Sequence, residues 1–196
     1  VSKLALLVFD MQVDFCHPEG VYHRLGGFNL DAINKITPRI RQVMETARAA
    51  RIPIIGTKFT VFSDLDGKAI GLGHLAELRP FLAQEGFRQG SAGQQIIPEL
   101  PRPDYEIEKT RFSAFYSTLL DALLRALKAE RLILTGIATN GAVEATARDA
   151  IMRDLSTTIL RDCTASFNPA LHQASLANLA SLGRVCDSSE MWATAS

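Results

Sequence analysis

The stretch from Arg131 to Asp154 constrains this chain most. It opens on Leu132-Ile133-Leu134, an apolar run short enough and flanked closely enough to be a fully buried parallel strand. Thr135 to Gly141 then turns the chain with small and polar residues. Beyond the turn Ala142, Val143, Ala145, Thr146, Ala147, Ala150, Ile151 and Met152 recur at helical spacing, with Glu144, Arg148 and Asp149 between them. A strand feeding a helix through such a turn aims backbone N–H groups at whatever lies above the strand end. Fixed donors of that kind stabilise an oxyanion. Taken alone, the same turn is an ordinary βα corner.

The alternation repeats along the chain. Leu4 to Phe9 is a continuous apolar run that ends at Asp10, a buried strand presenting a carboxylate at its C-terminal end. Met11 to Gly20 reads as loop. Asp31 to Ala50 carries Ile33, Ile36, Ile40, Val43, Met44 and Ala47 on one helical face. Ile52 to Thr57 is a second strand, with Pro53 placed at its beginning, where no ladder N–H is needed. From Lys58 to Pro103 periodicity weakens: Thr60 to Gly73 reads as a long loop over the top of a sheet, Leu75 to Leu82 as a short helix and Gly86 to Gly93 as loop. Tyr105 to Lys109 alternates, which suits an edge strand. Ser117 or Thr118 caps a helix through Ala129. Ser156 to Leu160 is a fifth strand with Asp162 to Ser166 as its exit loop, Asn168 to Leu182 a helix, and Arg184 to Asp187 a sixth strand. Strands alternating with helices predict one α/β domain over 1–196, a doubly wound parallel sheet with right-handed crossovers.

Charge and composition exclude several classes. Lys+Arg and Asp+Glu number 21 each, which calls for neither nucleic acid nor an anionic membrane as partner. No apolar run approaches ~20 residues, so no membrane span is expected, and Val1-Ser2-Lys3 leads into a strand rather than a signal peptide. Cys16, Cys163 and Cys186 are far apart with no CxxC pair, which suits a reduced, cytoplasmic protein.

Three strand ends then stand out: Asp10, Lys109 and the turn before Ala142. Ligands of doubly wound sheets sit outside the carboxyl ends of the strands, where the winding reverses. If the first and fourth strands flank that reversal, Asp10 faces the Asn140–Ala142 turn and Lys109 arrives from the side. A carboxylate beside an ammonium can work as a base.

Three motifs at these ends carry a resemblance. Asp10-Met11-Gln12-x-Asp14-Phe15, Lys109-x-Arg111-Phe112-Ser113-Ala114-Phe115 and Gly136-Ile137-Ala138-Thr139-Asn140-x-x-Val143-Glu144-x-Thr146-Ala147-x-Asp149-Ala150 resemble the signatures of the isochorismatase-like hydrolases, also called cysteine hydrolases. Gly90 to Ile96, Asp162 to Phe167, His172 and Leu176 to Leu179 fit as well, so the likeness runs from Leu4 to about Trp192. The resemblance implies a six-stranded parallel sheet of order 3-2-1-4-5-6, Rossmann-like, in homodimers or homotetramers acting on a small-molecule substrate. It also implies an Asp-Lys-Cys site for cleaving C–N bonds of small amide, ureido or carbamoyl compounds. There the Asp takes the thiol proton, the thiolate attacks the carbonyl, and water frees the acid. The oxyanion would rest on backbone of the turn (Ile137, Ala138, Gly141, Ala142), aimed by a cis peptide mapping to Ile137–Ala138.

The chain departs from the pattern at the nucleophile, where Ala142 has no reactive atom. None of the three cysteines stands in its place. Two origins fit: a cysteine changed to alanine by design, leaving an inactive form, or a chain naturally without it. A natural chain would be either a vinyl-ether hydrolase using Asp10 as general acid or a catalytically silent binding protein. The amidase-like wording of the turn favours C–N hydrolysis. Metal-binding relatives carry an Asp and two His after the second strand. Lys58 to Asp64 holds no His, and His17, His23, His74 and His172 are scattered, so neither metal nor other cofactor is expected. Phe15, Phe62, Arg88, Phe112, Phe115, Tyr116 and Asn140 are the candidates to wall a substrate pocket, at most about half of the aromatics touching ligand.

Overall fold

The computed structural model describes residues 3–193 of the 196-residue chain. The expected domain over 1–196, and the reading of Val1 and Ser2 as a lead into the first strand, include residues outside that range.

β1 (Leu4–Phe9) sends Leu6 and Val8 into one buried cluster and Ala5, Leu7 and Phe9 into another. Burial on both faces is why its sequence shows no polar alternation. Two short turns follow, α1 (Val13–Cys16) and α2 (Val21–Arg24). Then α3 (Asp31–Ala49) buries its Ile33-to-Ala47 stripe in the cluster that holds Leu6 and Val8. β2 (Ile54–Phe59) begins later than Ile52 to Thr57 predicts. Pro53 offers no ladder N–H, and the Ile52 N–H donates to the Ala47 carbonyl at 2.9 Å. The expected Thr60–Gly73 loop contains a small ribbon, β3 (Phe62–Ser63) and β4 (Ala69–Ile70). Asp64 closes it by accepting from the Asp66 and Lys68 N–H groups at 3.0 and 2.8 Å. The expected Leu75–Leu82 helix is split into α4 (Leu75–Leu78) and a 3₁₀ turn, Pro80–Ala83. Arg79, forced out of helical geometry by the proline after it, makes the break.

β5 (Tyr105–Lys109), α5 (Leu120–Leu127), β6 (Arg131–Ile137), α6 (Glu144–Ile151), β7 (Ser156–Ala165), α7 (Pro169–Ala180), β8 (Arg184–Cys186) and α8 (Ser188–Ala193) follow. α5 is shorter than its apolar pattern because Ser117 and Lys128 on either side take left-handed φ values of 54° and 53°. β7 runs through the expected exit loop, since Thr164 and Ala165 resume pairing with Gly136 and Ile137 after a register shift. β8 stops at Cys186, where the next N–H, of Asp187, turns to Glu190 Oε1 at 3.1 Å. Asn168 caps α7 by accepting from Ala170 and Leu171 N–H at 2.9 and 3.2 Å.

Six strands form a parallel sheet ordered β5-β2-β1-β6-β7-β8, which in order of occurrence is 3-2-1-4-5-6. α3 and α8 cover one face; α5, α6 and α7 cover the other. The winding reverses between β1 and β6, so a crevice opens above Asp10 and the turn after Ile137. Gly136 lets those two strands meet. Its φ is 98°, and a Cβ there would fall 2.3 Å from the Phe9 carbonyl oxygen. Gly136→Ala is therefore expected to cost about 3 kcal/mol or more in urea unfolding. A loss below about 1 kcal/mol would show that the strand ends can part freely.

Candidate active site

Parallel register brings three strand ends into line. Phe9 lies opposite Thr57, and Phe59 opposite Lys109. Asp10, in a left-handed conformation at φ 53°, accepts from Thr57 Oγ1 at 2.6 Å through Oδ1 and from Lys109 Nζ at 2.7 Å through Oδ2. Lys109 Nζ also donates to the Arg111 carbonyl at 3.1 Å and lies 5.8 Å over the Phe59 ring. Asp10 and Lys109 are 4% and 3% exposed, so water does little to screen the pair. Burial lifts the Asp10 carboxyl above its ordinary value near 3.8, and Lys109 and Thr57 oppose that lift. Thr57→Val removes a donor to a buried carboxylate. It should cost about 1–3 kcal/mol and lift Asp10 further, the second effect read from the Asp10 carboxyl carbon in an NMR pH titration. An unmoved titration would mean that Lys109 alone sets the carboxylate.

The other polar residues of the first motif act as struts. Gln12 Nε2 donates to the Phe59 and Gln94 carbonyls at 2.9 and 2.8 Å, and its Oε1 accepts from Phe59 N at 2.7 Å. Asp14 accepts from the N–H groups of Val21 at 3.3 Å and Phe87 at 2.6 Å. Gln94 reaches Thr60 Oγ1 at 2.7 Å. Loops remote in sequence are thereby tied above β1 and β2.

Opposite β1, the Ile137–Ala138 peptide is cis, as the resemblance implies. A wide π-type turn, Thr139–Val143, then precedes α6. Gly141 N–H and Val143 N–H both donate to the Ala138 carbonyl, at 2.9 and 3.3 Å, and Asn140 N–H donates to Ser166 Oγ at 3.3 Å. The expected oxyanion role of Gly141 is thus corrected: its N–H closes the turn itself. Ile137 is buried within the ladder beside Ala165, while Ala138, Asn140, Gly141 and Ala142 line the crevice. Thr139 Oγ1 lies 2.8 Å from His172 Nδ1, and burial pushes that imidazole down from its ordinary value. Behind the turn, Thr146 Oγ1 accepts from Ala114 N at 2.9 Å and Ser113 Oγ donates to Asp149 at 2.5 Å. These bonds lash the Lys109 loop to α6.

The crevice is a cavity of about 450 Å³. Of the candidate wall residues, Phe15, Phe112 and Asn140 line it; four do not. Phe62 sits exposed on the β3 ribbon. Arg88 turns its guanidinium to the carbonyls of Leu82, Gly86 and Ala83 at 3.1, 3.0 and 3.3 Å, tying a loop. Phe115 is buried under α6, with Arg153 Cζ 4.3 Å over its ring. Tyr116 is 59% exposed. The wall instead takes Tyr22, Phe28, Phe59, Arg79, Arg111 and Phe167, among others. Arg111 was visible inside the second motif; Tyr22, Phe28 and Arg79 lie where periodicity is weak and gave no signal.

Cys16, Cys163 and Cys186 are buried and line none of this cavity. Burial pushes the Cys16 thiol well up and Cys163 up to about 12. Among the described residues, no three of His, Cys, Asp and Glu gather as a metal site, and no helix is long and apolar enough to cross a membrane.

A model of the isochorismatase domain matches residues 4–190. Ureidoacrylate amidohydrolase RutB of Caulobacter vibrioides is 34% identical over 188 residues, covering 89% of this chain and 83% of that protein. In structure, a cysteine hydrolase from Pseudomonas syringae pv. phaseolicola superposes with a TM-score of 0.84 at 26% identity, over 97% of this chain and 92% of that one. N-carbamoylsarcosine amidase from Thermoplasma acidophilum does so with a TM-score of 0.73 at 25% identity, over 95% and 96%. With the fold, the strand-end constellation and these likenesses in agreement over nearly the whole described length, the chain belongs to the isochorismatase-like hydrolase family.

Proposed function

We propose that this cavity takes a small amide, ureido or carbamoyl compound, that its chemistry is hydrolysis of a C–N bond, and that Ala142 leaves out the covalent step. The observation that carries the reading is the buried Asp10–Lys109 pair, joined at 2.7 Å, in a cavity that Ala142 also lines. A thiol at position 142 would give its proton to Asp10 and attack the carbonyl carbon. The C–N bond then breaks, the amine leaves with a proton, and water cleaves the thioester to the acid. Without the thiol, the same residues bind and orient such a compound but supply no nucleophile. The names of two relatives, a ureidoacrylate amidohydrolase and an N-carbamoylsarcosine amidase, support the substrate class.

A second reading has one observation in its favour. Burial lifts Asp10, and a lifted carboxyl suits a general acid that protonates a vinyl ether. A panel of ureido acids, simple amides and isochorismate separates the two, run on the unchanged chain beside Ala142→Cys. C–N turnover confined to the cysteine form is the expected result. Rapid vinyl-ether cleavage by the unchanged chain, with no amide turnover by either form, would reverse the assignment.

A further inference from the structure

The cavity has two charged places, and only one of them is neutralised. Asp10 is matched by Lys109. Arg79, at the break between α4 and the 3₁₀ turn, also lines the wall. Its Nη1 donates to the Leu78 carbonyl at 2.7 Å, while its Nε is buried without a hydrogen-bond partner. Among the described residues Arg79 forms no salt bridge, whereas Arg24, Arg48, Arg148, Arg153 and Arg161 each do. Arg111, the other arginine of the wall, is tied to the Gly71 and Thr110 carbonyls at 3.0 and 2.7 Å. Two guanidinium groups without acidic partners leave the cavity positive.

Aromatic rings join the two charged places. Lys109 lies over Phe59; from there the rings run to Phe15 at 6.3 Å, Tyr22 at 4.4 Å and Phe28 at 5.1 Å, and Arg79 Cζ stands 5.3 Å over Phe28. Burial pushes the Tyr22 phenol up, and the charge and hydrogen bond of Arg79 oppose that shift. A ligand matching this wall is flat, with a carbonyl for the Asp10–Lys109 end and an anion for the guanidinium end. Guanidinium is a planar fork, and a carboxylate is the anion that meets it in plane.

We propose that Arg79 is a specificity-determining residue that selects substrates bearing a carboxylate, so that the compound cleaved is a ureido or carbamoyl acid rather than a neutral amide. This rests on the hydrolase reading of the same cavity and narrows it.

The test is calorimetric titration of the unchanged chain, whose Ala142 leaves the ligand intact, with 3-ureidopropanoate, its methyl ester and pentanoate. The acid is expected to bind at least about tenfold tighter than its ester, the size of one charge-assisted bidentate contact. That preference should fall to about twofold or less in Arg79→Gln, return in part in Arg79→Lys, and weaken as salt rises. Equal binding of acid and ester by the unchanged chain overturns the proposal without recourse to any variant; so does failure of all three to bind at millimolar concentration. Circular dichroism confirms that the Arg79 variants fold. The two readings fail differently. Arg79-dependent binding of pentanoate as tight as the ureido acid, with no C–N turnover by Ala142→Cys, would sink the hydrolase reading and leave the anion site. C–N turnover by Ala142→Cys with equal kcat/KM for acid and ester would do the reverse.

Discussion

Ala142→Cys is expected to raise C–N hydrolysis on the order of thousands-fold over the unchanged chain, the span that a covalent nucleophile typically contributes. The proposed step would draw on a buried carboxylate to take the thiol proton, an ammonium 2.7 Å from it, and a cavity lined by both residues and by Ala142. The gain should vanish with iodoacetamide, which blocks the thiol, and with Asp10→Asn, which removes the base at nearly constant shape. Its pH profile carries a sign as well. Asp10 must be ionised to accept the proton, and burial lifts its carboxyl above 3.8. Activity should therefore fall as pH drops through that lifted value, with the acid limb above the ordinary carboxylate range. Turnover by the unchanged chain as fast as by the cysteine form would mean that Asp10 activates water directly. A cysteine form inert across the whole panel would favour a binding protein.

The second large effect is on stability. Lys109→Met leaves Asp10 buried without its counter-charge, and breaking such a pair costs about 3–5 kcal/mol. The loss depends on pH. In the folded protein Asp10 already holds its proton more tightly than in the unfolded chain, and removing Lys109 strengthens that hold. This group therefore favours folding at low pH, and the contribution is lost as pH rises through its folded value. Chemical unfolding should accordingly show a smaller loss at pH 5 than at pH 8. Asp10→Asn combined with Lys109→Met should recover most of the stability, because neither partner then leaves a bare buried charge. Equal losses at both pH values, or a double variant no better than Lys109→Met alone, would mean that the pair is not coupled as its geometry requires.

Much of the fold was legible because its strands are short apolar runs bounded by polar residues. Asp10 and Lys109 terminate two such runs, and parallel register carries strand ends to one edge of the sheet. Two ionisable residues 99 positions apart could be paired on paper for that reason. Boundaries moved where tertiary contacts outweighed local pattern. β7 continued through polar Arg161 and Asp162 because pairing beside Gly136 resumed after them, and the long middle segment folded a ribbon around Asp64.

What the sequence by itself determined was the alternation of strands and helices, the charged residues at the strand ends, and, through its resemblance to a family, the expected sheet order that places the switch point between the first and fourth strands. Which side chains wall the cavity was decided only by the tertiary structure. Phe112 and Phe115 are three residues apart in one loop. Hydrogen bonds from Ser113 to Asp149 and from Ala114 to Thr146 roll Phe115 into the core and leave Phe112 at the cavity. Tyr22 follows Val21, whose N–H Asp14 holds together with that of Phe87 above β1 and β2, and Arg79 reaches the wall from the break in the expected Leu75–Leu82 helix. A strand or helix announces its buried face through the spacing of its apolar residues. A loop side chain has no such period, and its direction is set by bonds to chain far away in sequence.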